Sequence, residues 1–102
     1  MKLRERTDYI VIHCAQTKPS MDIGLREIDQ WPKCRGWLGC GYHFVIKRDG
    51  QIEVGRQINQ KGAHVKGFNH NSLGICLVGG IDEDEDFDPN YTQEQWDSLD
   101  AL

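Results

Sequence analysis

The sequence predicts an α/β domain with a mixed central β-sheet flanked by helices. Short β-branched and aromatic runs at 9–12, 42–47, 51–56 and 73–80 have the composition of strands. Apolar residues recur at helical spacing around Ile23, Ile28 and Trp31 and again at Trp96, Leu99 and Leu102. The resulting order of strand, helix, hairpin, strand and helix is that of a sheet packed between helices.

Tyr9-Ile10-Val11-Ile12, after the charged stretch 4–8, reads as a buried strand ending at His13-Cys14. Residues 16–20, with Pro19, form a loop before a helix whose apolar face holds Ile23, Ile28 and Trp31. Pro32 should end or kink that helix, because proline lacks the amide hydrogen and clashes with the carbonyl four residues back. Gly36, Gly39 and Gly41 punctuate the next loop, and Asp49-Gly50 between two strand-like runs signals a hairpin. A glycine-rich polar stretch at 59–72 leads into the apolar run 73–80, which suits a central strand covered on both faces. Six carboxylates crowd positions 82–88, with Phe87 the exception. Their repulsion favours a solvated loop, and a calcium loop of EF-hand type would need a spacing, central glycine and closing glutamate that are not there. Thr92 then caps a helix, with Gln95 as its capping-box partner.

At 102 residues the chain suits one small domain, near the lower end of what supports a core without disulfides, metal or a partner. An apolar fraction of 38% is too high for a disordered chain. A net charge of −4 with scattered basic residues argues against a nucleic-acid partner, since phosphate neutralisation needs clustered Lys and Arg. No apolar run reaches membrane-spanning length and the N-terminus has no signal-like apolar segment, so a soluble cytoplasmic product without a membrane partner is expected. In that compartment Cys14, Cys34, Cys40 and Cys76 are expected as free thiols.

Several residues can carry chemistry. His13 lies at a strand end, where sheets present functional groups to a crevice, and reads either as a hydrogen-bonded structural residue or as a metal ligand. Tyr42 opens another strand and is either a half-buried aromatic or a donor to a developing oxyanion. His64 and His70 flank a glycine-containing loop suited to ligand contacts, or are simply solvated. A structural zinc site built from Cys34, Cys40, His13 and Cys14 is disfavoured, because five residues separate the two loop cysteines where zinc knuckles have two to four. Cys76, in an apolar strand, reads as a core residue.

These segments together resemble the zinc-dependent N-acetylmuramoyl-L-alanine amidases of type 2, closest to the T-seven-type phage lysozymes and more distantly the peptidoglycan recognition proteins. The matching stretches are Ile12-His13-Cys14-Ala15 with Thr17-Lys18-Pro19-Ser20, Arg26-Glu27-Ile28 with Gln30-Trp31, and Gly36-Trp37-Leu38. They continue with Gly41-Tyr42-His43-Phe44, the 46–50 turn, His64 with Lys66-Gly67, Asn69-His70-Asn71-Ser72, and 76–82. The likeness runs in order along nearly the whole chain.

The resemblance implies a peptidoglycan hydrolase, an endolysin of bacteriolytic type, that cleaves the amide between N-acetylmuramic acid and L-alanine with zinc-activated water. It implies His13 as a ligand of Zn2+ and Tyr42 as the catalytic tyrosine, with His64 and Asn69 as substrate-binding candidates. A second histidine, a Cys or Asp ligand and a catalytic lysine lie, in the family, beyond the acidic loop and the next helix. Residues 1–102 are therefore expected to be the N-terminal, C-terminally truncated portion of a single amidase domain, inactive alone. Pro32 departs from the family, where another residue is usual. The implied setting is a monomer made in the host cytoplasm that acts on bacterial peptidoglycan after release, with a viral RNA polymerase as partner by analogy alone. A noncatalytic peptidoglycan-binding module of the same fold is the alternative.

Overall fold

The computed structural model describes residues 3–21, 23–29 and 41–102. Its elements are β1 (Tyr9–Cys14), α1 (Leu25–Asp29), β2 (Phe44–Ile46), β3 (Ile52–Val54), β4 (Ser72–Leu77) and α2 (Gln93–Ala101). The strands form one four-stranded sheet in the order β1-β4-β2-β3. β4 runs parallel to both β1 and β2, and β3 closes the sheet antiparallel to β2, so the sheet is mixed as its sequence predicts.

The apolar run at 73–80 does become the central strand. Val45, Cys76 and Val78 on one face pack with Ala15 and with Ile28 of α1. Ile46, Ile75 and Leu77 on the other face pack with Tyr91 and with Leu99 of α2. The alternation follows from the two-residue period of a strand: a central strand covered on both sides has no polar face to present. The hairpin turns at Gly50, whose φ of +89° is a left-handed conformation that a side chain would strain. The Gly50 amide donates to the Lys47 carbonyl at 2.9 Å, and Asp49 Oδ1 accepts from the Gln51 amide at 2.9 Å.

Two expectations need correction. β1 is not a buried strand: Tyr9, Ile10 and Ile12 are 52%, 59% and 52% exposed. Among the described residues β1 pairs only with β4, so it is an edge strand, and α2 covers the sheet nearer β2. Second, the buried side chain of α2 is Gln95, while Trp96 stays 42% exposed and stacks edge-on against Tyr91 at 5.6 Å. The acidic segment is a solvated loop, as expected, with hydrogen bonds of its own. Asp82 Oδ1 accepts from the amides of Asp84 and Asp86 at 2.9 and 3.0 Å, and Ile81 bridges to Phe87. The carboxylates of 83–86 nevertheless remain exposed.

Helix starts are held by side chains. The Leu25 amide at the start of α1 donates to Glu53 Oε1 of β3 at 2.8 Å, placing a carboxylate at a helix N-terminus. α2 has the predicted capping box: the Gln95 amide donates to Thr92 Oγ1 at 3.1 Å and the Thr92 amide to Gln95 Oε1 at 2.9 Å. The expected bend at Pro32 lies outside the described residues, as do Trp31, Cys34 and Cys40.

Gln95 also ties α2 to the sheet. Its Nε2 donates to the Ile46 carbonyl at 3.1 Å and to the Val78 carbonyl at 2.8 Å. Gln95→Leu keeps a similar size but strips these buried carbonyls of their donor and removes the capping partner. We expect it to lower unfolding stability by about 2 kcal/mol, checked by urea denaturation. An unchanged midpoint would show that Gln95 is not a tie.

Candidate active site on the face of the sheet

His13 is the penultimate residue of β1 and pairs with Cys76 of β4. Paired residues of neighbouring strands point the same way, so His13 lies on the α1 face of the sheet, the face that carries Cys76 and Val45. Tyr42, just before β2, packs against the same cluster. Their rings meet with centroids 5.2 Å apart, and the His64 ring lies 5.1 Å from His13 and 6.5 Å from Tyr42. Residues from three separate parts of the chain thus converge on one patch of the sheet.

His64 sits in a cradle that only glycine permits. A Cβ at Gly74 would come within 2.6–2.7 Å of three His64 ring atoms, and one at Gly62 would lie 2.6 Å from His64 Cδ2. The 64–69 loop is closed by Asn69, whose Oδ1 accepts from the amides of His64 and Val65 at 2.9 and 3.0 Å. His64 Nδ1 lies 2.9 Å from His13 Nε2, and His64 Nε2 lies 3.2 Å from Ser72 Oγ. Both ring nitrogens of the half-buried His64 therefore have protein partners, and Asn69 Oδ1 is occupied in shaping the loop.

His43, which sequence reading passed over as a site residue, is fully buried beneath this cluster. Its Nδ1 accepts from the Gly74 amide at 3.0 Å, and its Nε2 donates to the Gln60 carbonyl at 2.7 Å. Both partners are backbone groups, so His43 is a neutral strut that pins the 59–64 loop to β4. Its position, two residues before Val45, puts it on the same α1 face as Val45 and under the His64 ring.

Burial keeps these groups uncharged. It pushes the Tyr42 hydroxyl up to about 12, with the Cys76 and Cys14 thiols adding to the rise. It pushes His64 down to about 4, helped by the neighbouring His13 and His43, and it also lowers His43. Tyr42 is therefore a hydrogen-bond donor at neutral pH, and His64 is a neutral imidazole. Among the described residues, Cys14 and Cys76 are not joined in a disulfide to each other. Among the described residues no group of three or more His, Cys, Asp or Glu side chains is placed to hold a metal ion.

Residues 3–102 match the N-acetylmuramoyl-L-alanine amidase family. This chain belongs to that family. It is 57% identical to the endolysin of Escherichia phage T7 over 101 residues, which cover 99% of this chain and 67% of the endolysin. Among solved structures it resembles the endolysin amidase LysCS from Clostridium intestinale URNW, with TM-score 0.76 and 36% identity over 94% of this chain and 58% of that one. It also resembles peptidoglycan recognition protein LE in complex with tracheal cytotoxin, a monomeric diaminopimelic acid-type peptidoglycan. There the TM-score is 0.76 with 26% identity, covering 100% of this chain and 61% of that one. The chain thus spans about two thirds of its phage relative and less than that of the solved amidase. Within this family member the described residues hold a four-stranded sheet with His13, Tyr42 and His64 gathered on one face.

Both perturbed histidines are harder to protonate folded than unfolded, where the ordinary value is 6.5. The unfolded chain therefore takes up protons first as pH falls. The resulting stability is complete above about 6.5 and is lost progressively toward about pH 4, where His64 itself titrates. Thermal melts between about pH 7 and about pH 5 should show a falling midpoint, and a flat midpoint across that window would contradict the burial of neutral imidazoles.

Proposed function

We propose that this chain supplies one wall of an active site that hydrolyses the amide between N-acetylmuramic acid and L-alanine of peptidoglycan. Residues 1–102 are, on this reading, the N-terminal portion of a single zinc-dependent amidase domain. The observation that carries the proposal is the convergence of His13, Tyr42 and His64 on one sheet face of a chain in this family. The related recognition protein solved with a peptidoglycan fragment supports the substrate class.

The donor set fits part of a zinc site. A neutral imidazole at His13 is a suitable ligand, but a catalytic zinc takes three protein ligands and the described residues do not group three. His13 would hold the ion from this side, with the remaining ligands outside the described residues. Bound zinc would polarise the scissile carbonyl and lower the pKa of a water molecule toward neutrality. The chain's own chemistry lies in Tyr42, whose phenol, protonated at neutral pH and packed beside His13, donates a hydrogen bond to the carbonyl oxygen as it gains negative charge. The 64–69 loop, bounded by His64 and Asn69, adjoins this patch and is our candidate for contact with the muramyl peptide.

A second reading, a noncatalytic peptidoglycan-binding module, is supported by the likeness to a recognition protein solved with a peptidoglycan fragment. No described helix is long and apolar enough to cross a membrane, and we place the site of action at the cell wall.

Zinc stoichiometry and turbidity clearing of purified cell walls separate these readings. The 102-residue chain is expected to hold well under one zinc and to clear no walls, and tight stoichiometric zinc with lysis would show that its own residues complete the site. In the complete amidase domain, Tyr42→Phe should lower kcat by roughly 10²–10³ with little change in KM. An unaltered kcat would remove Tyr42 from the reaction.

A further inference from the structure

The contacts of His64 settle a direction that distances alone leave open. Ser72 Oγ lies 2.7 Å from the Phe68 carbonyl oxygen, which can only accept, so the single hydroxyl proton of Ser72 is committed there. Ser72 Oγ then meets His64 Nε2 at 3.2 Å as an acceptor, and His64 carries its proton on Nε2. A neutral imidazole protonated on Nε2 has a bare Nδ1. His64 Nδ1 is the atom facing His13 Nε2 at 2.9 Å, so the proton between them belongs to His13. The chain of donors runs from His13 through His64 and Ser72 to the Phe68 carbonyl and calls for a proton on His13 Nε2, which in a neutral His13 ring leaves the lone pair on Nδ1.

We propose that His64 and Ser72 are positioning residues, forming a one-way hydrogen-bond relay anchored on the Phe68 carbonyl that selects the His13 tautomer presenting Nδ1. The inference rests on the reading of His13 as a metal ligand, and it assigns His64 a task distinct from touching substrate. Metal-binding imidazoles generally have their second nitrogen hydrogen-bonded, which sets both tautomer and ring angle. Here the usual carboxylate or carbonyl acceptor is replaced by a second imidazole, and that imidazole needs its own anchor to have a direction. Ser72 is fully buried and supplies it. Gly62 and Gly74 let the relay ring lie close to the sheet, and any side chain at either position would push it off His13.

The test is nitrogen NMR of the imidazoles in the metal-free 102-residue chain at about pH 8, above the ordinary histidine range. Long-range proton–nitrogen spectra should show His13 and His64 each with a protonated Nε2 and a bare Nδ1, their two ring nitrogens widely separated in shift. In Ser72→Ala the His64 Nε2 proton loses its acceptor, and the two His13 nitrogens should move toward each other as the second tautomer becomes populated. Gly74→Ala, which displaces the His64 ring while leaving Ser72 in place, should do the same. A proton on His13 Nδ1 in the unsubstituted chain, or wild-type shifts retained in a folded Ser72→Ala chain, would overturn the relay. Should either variant fail to fold, the spectrum of the unsubstituted chain alone still decides. Zinc binding by the complete domain is a separate measurement, so the relay and the amidase reading can fail independently.

Discussion

The approach of the His64 ring to the bare backbone of Gly74 is the contact on which the rest of the site depends. β4 carries the sheet, pairing with β1 on one side and β2 on the other, and its glycine is where a loop side chain can lie flat against it. From that position His64 reaches His13 on the next strand and Ser72 on its own. Beneath it, His43 spans from the Gly74 amide to the Gln60 carbonyl and so holds the loop that delivers His64. Packing and hydrogen bonding are not separable here: the close contact is possible only without a Cβ, and it is useful only because both ring nitrogens then find partners.

The framework was largely legible because it follows from periods and turn chemistry. The apolar run around Cys76 became a central strand, Asp49-Gly50 became a hairpin turn, and Thr92 with Gln95 became a capping box. What escaped was relational. The exposure of Ile10 and Ile12 depends on which strands flank β1, which composition does not reveal. Gln95 was read only as a cap, because its second role needs carbonyls from two strands distant in sequence. In the site, the strand position of His13 and the placing of Tyr42 before β2 were readable. The link to His64 was not, since a histidine in a glycine-rich loop looks the same whether it is solvated or buried against a glycine. Gly62 and Gly74 were the available signal, and it acquires meaning only once β4 and the loop are seen to touch.

Electrostatically the patch is quiet. Burial holds Tyr42, His64 and His43 in their neutral forms around neutral pH. A site made of neutral donors and lone pairs has little field of its own with which to repel a cation, and little with which to attract one. What the patch supplies is orientation of its rings and hydrogen-bonding atoms.

The parallel register of β1 on β4 gives this orientation an all-or-none character. His13 faces the patch because it stands opposite Cys76; a slip of one residue would turn it to the α2 face and bring Ile12 or Cys14 into its place. A shift of register does not weaken the contact between His13 and His64; it removes it. Correct pairing and the meeting of His13 with His64 are therefore acquired together, and a misregistered sheet would carry its imidazole on the wrong side.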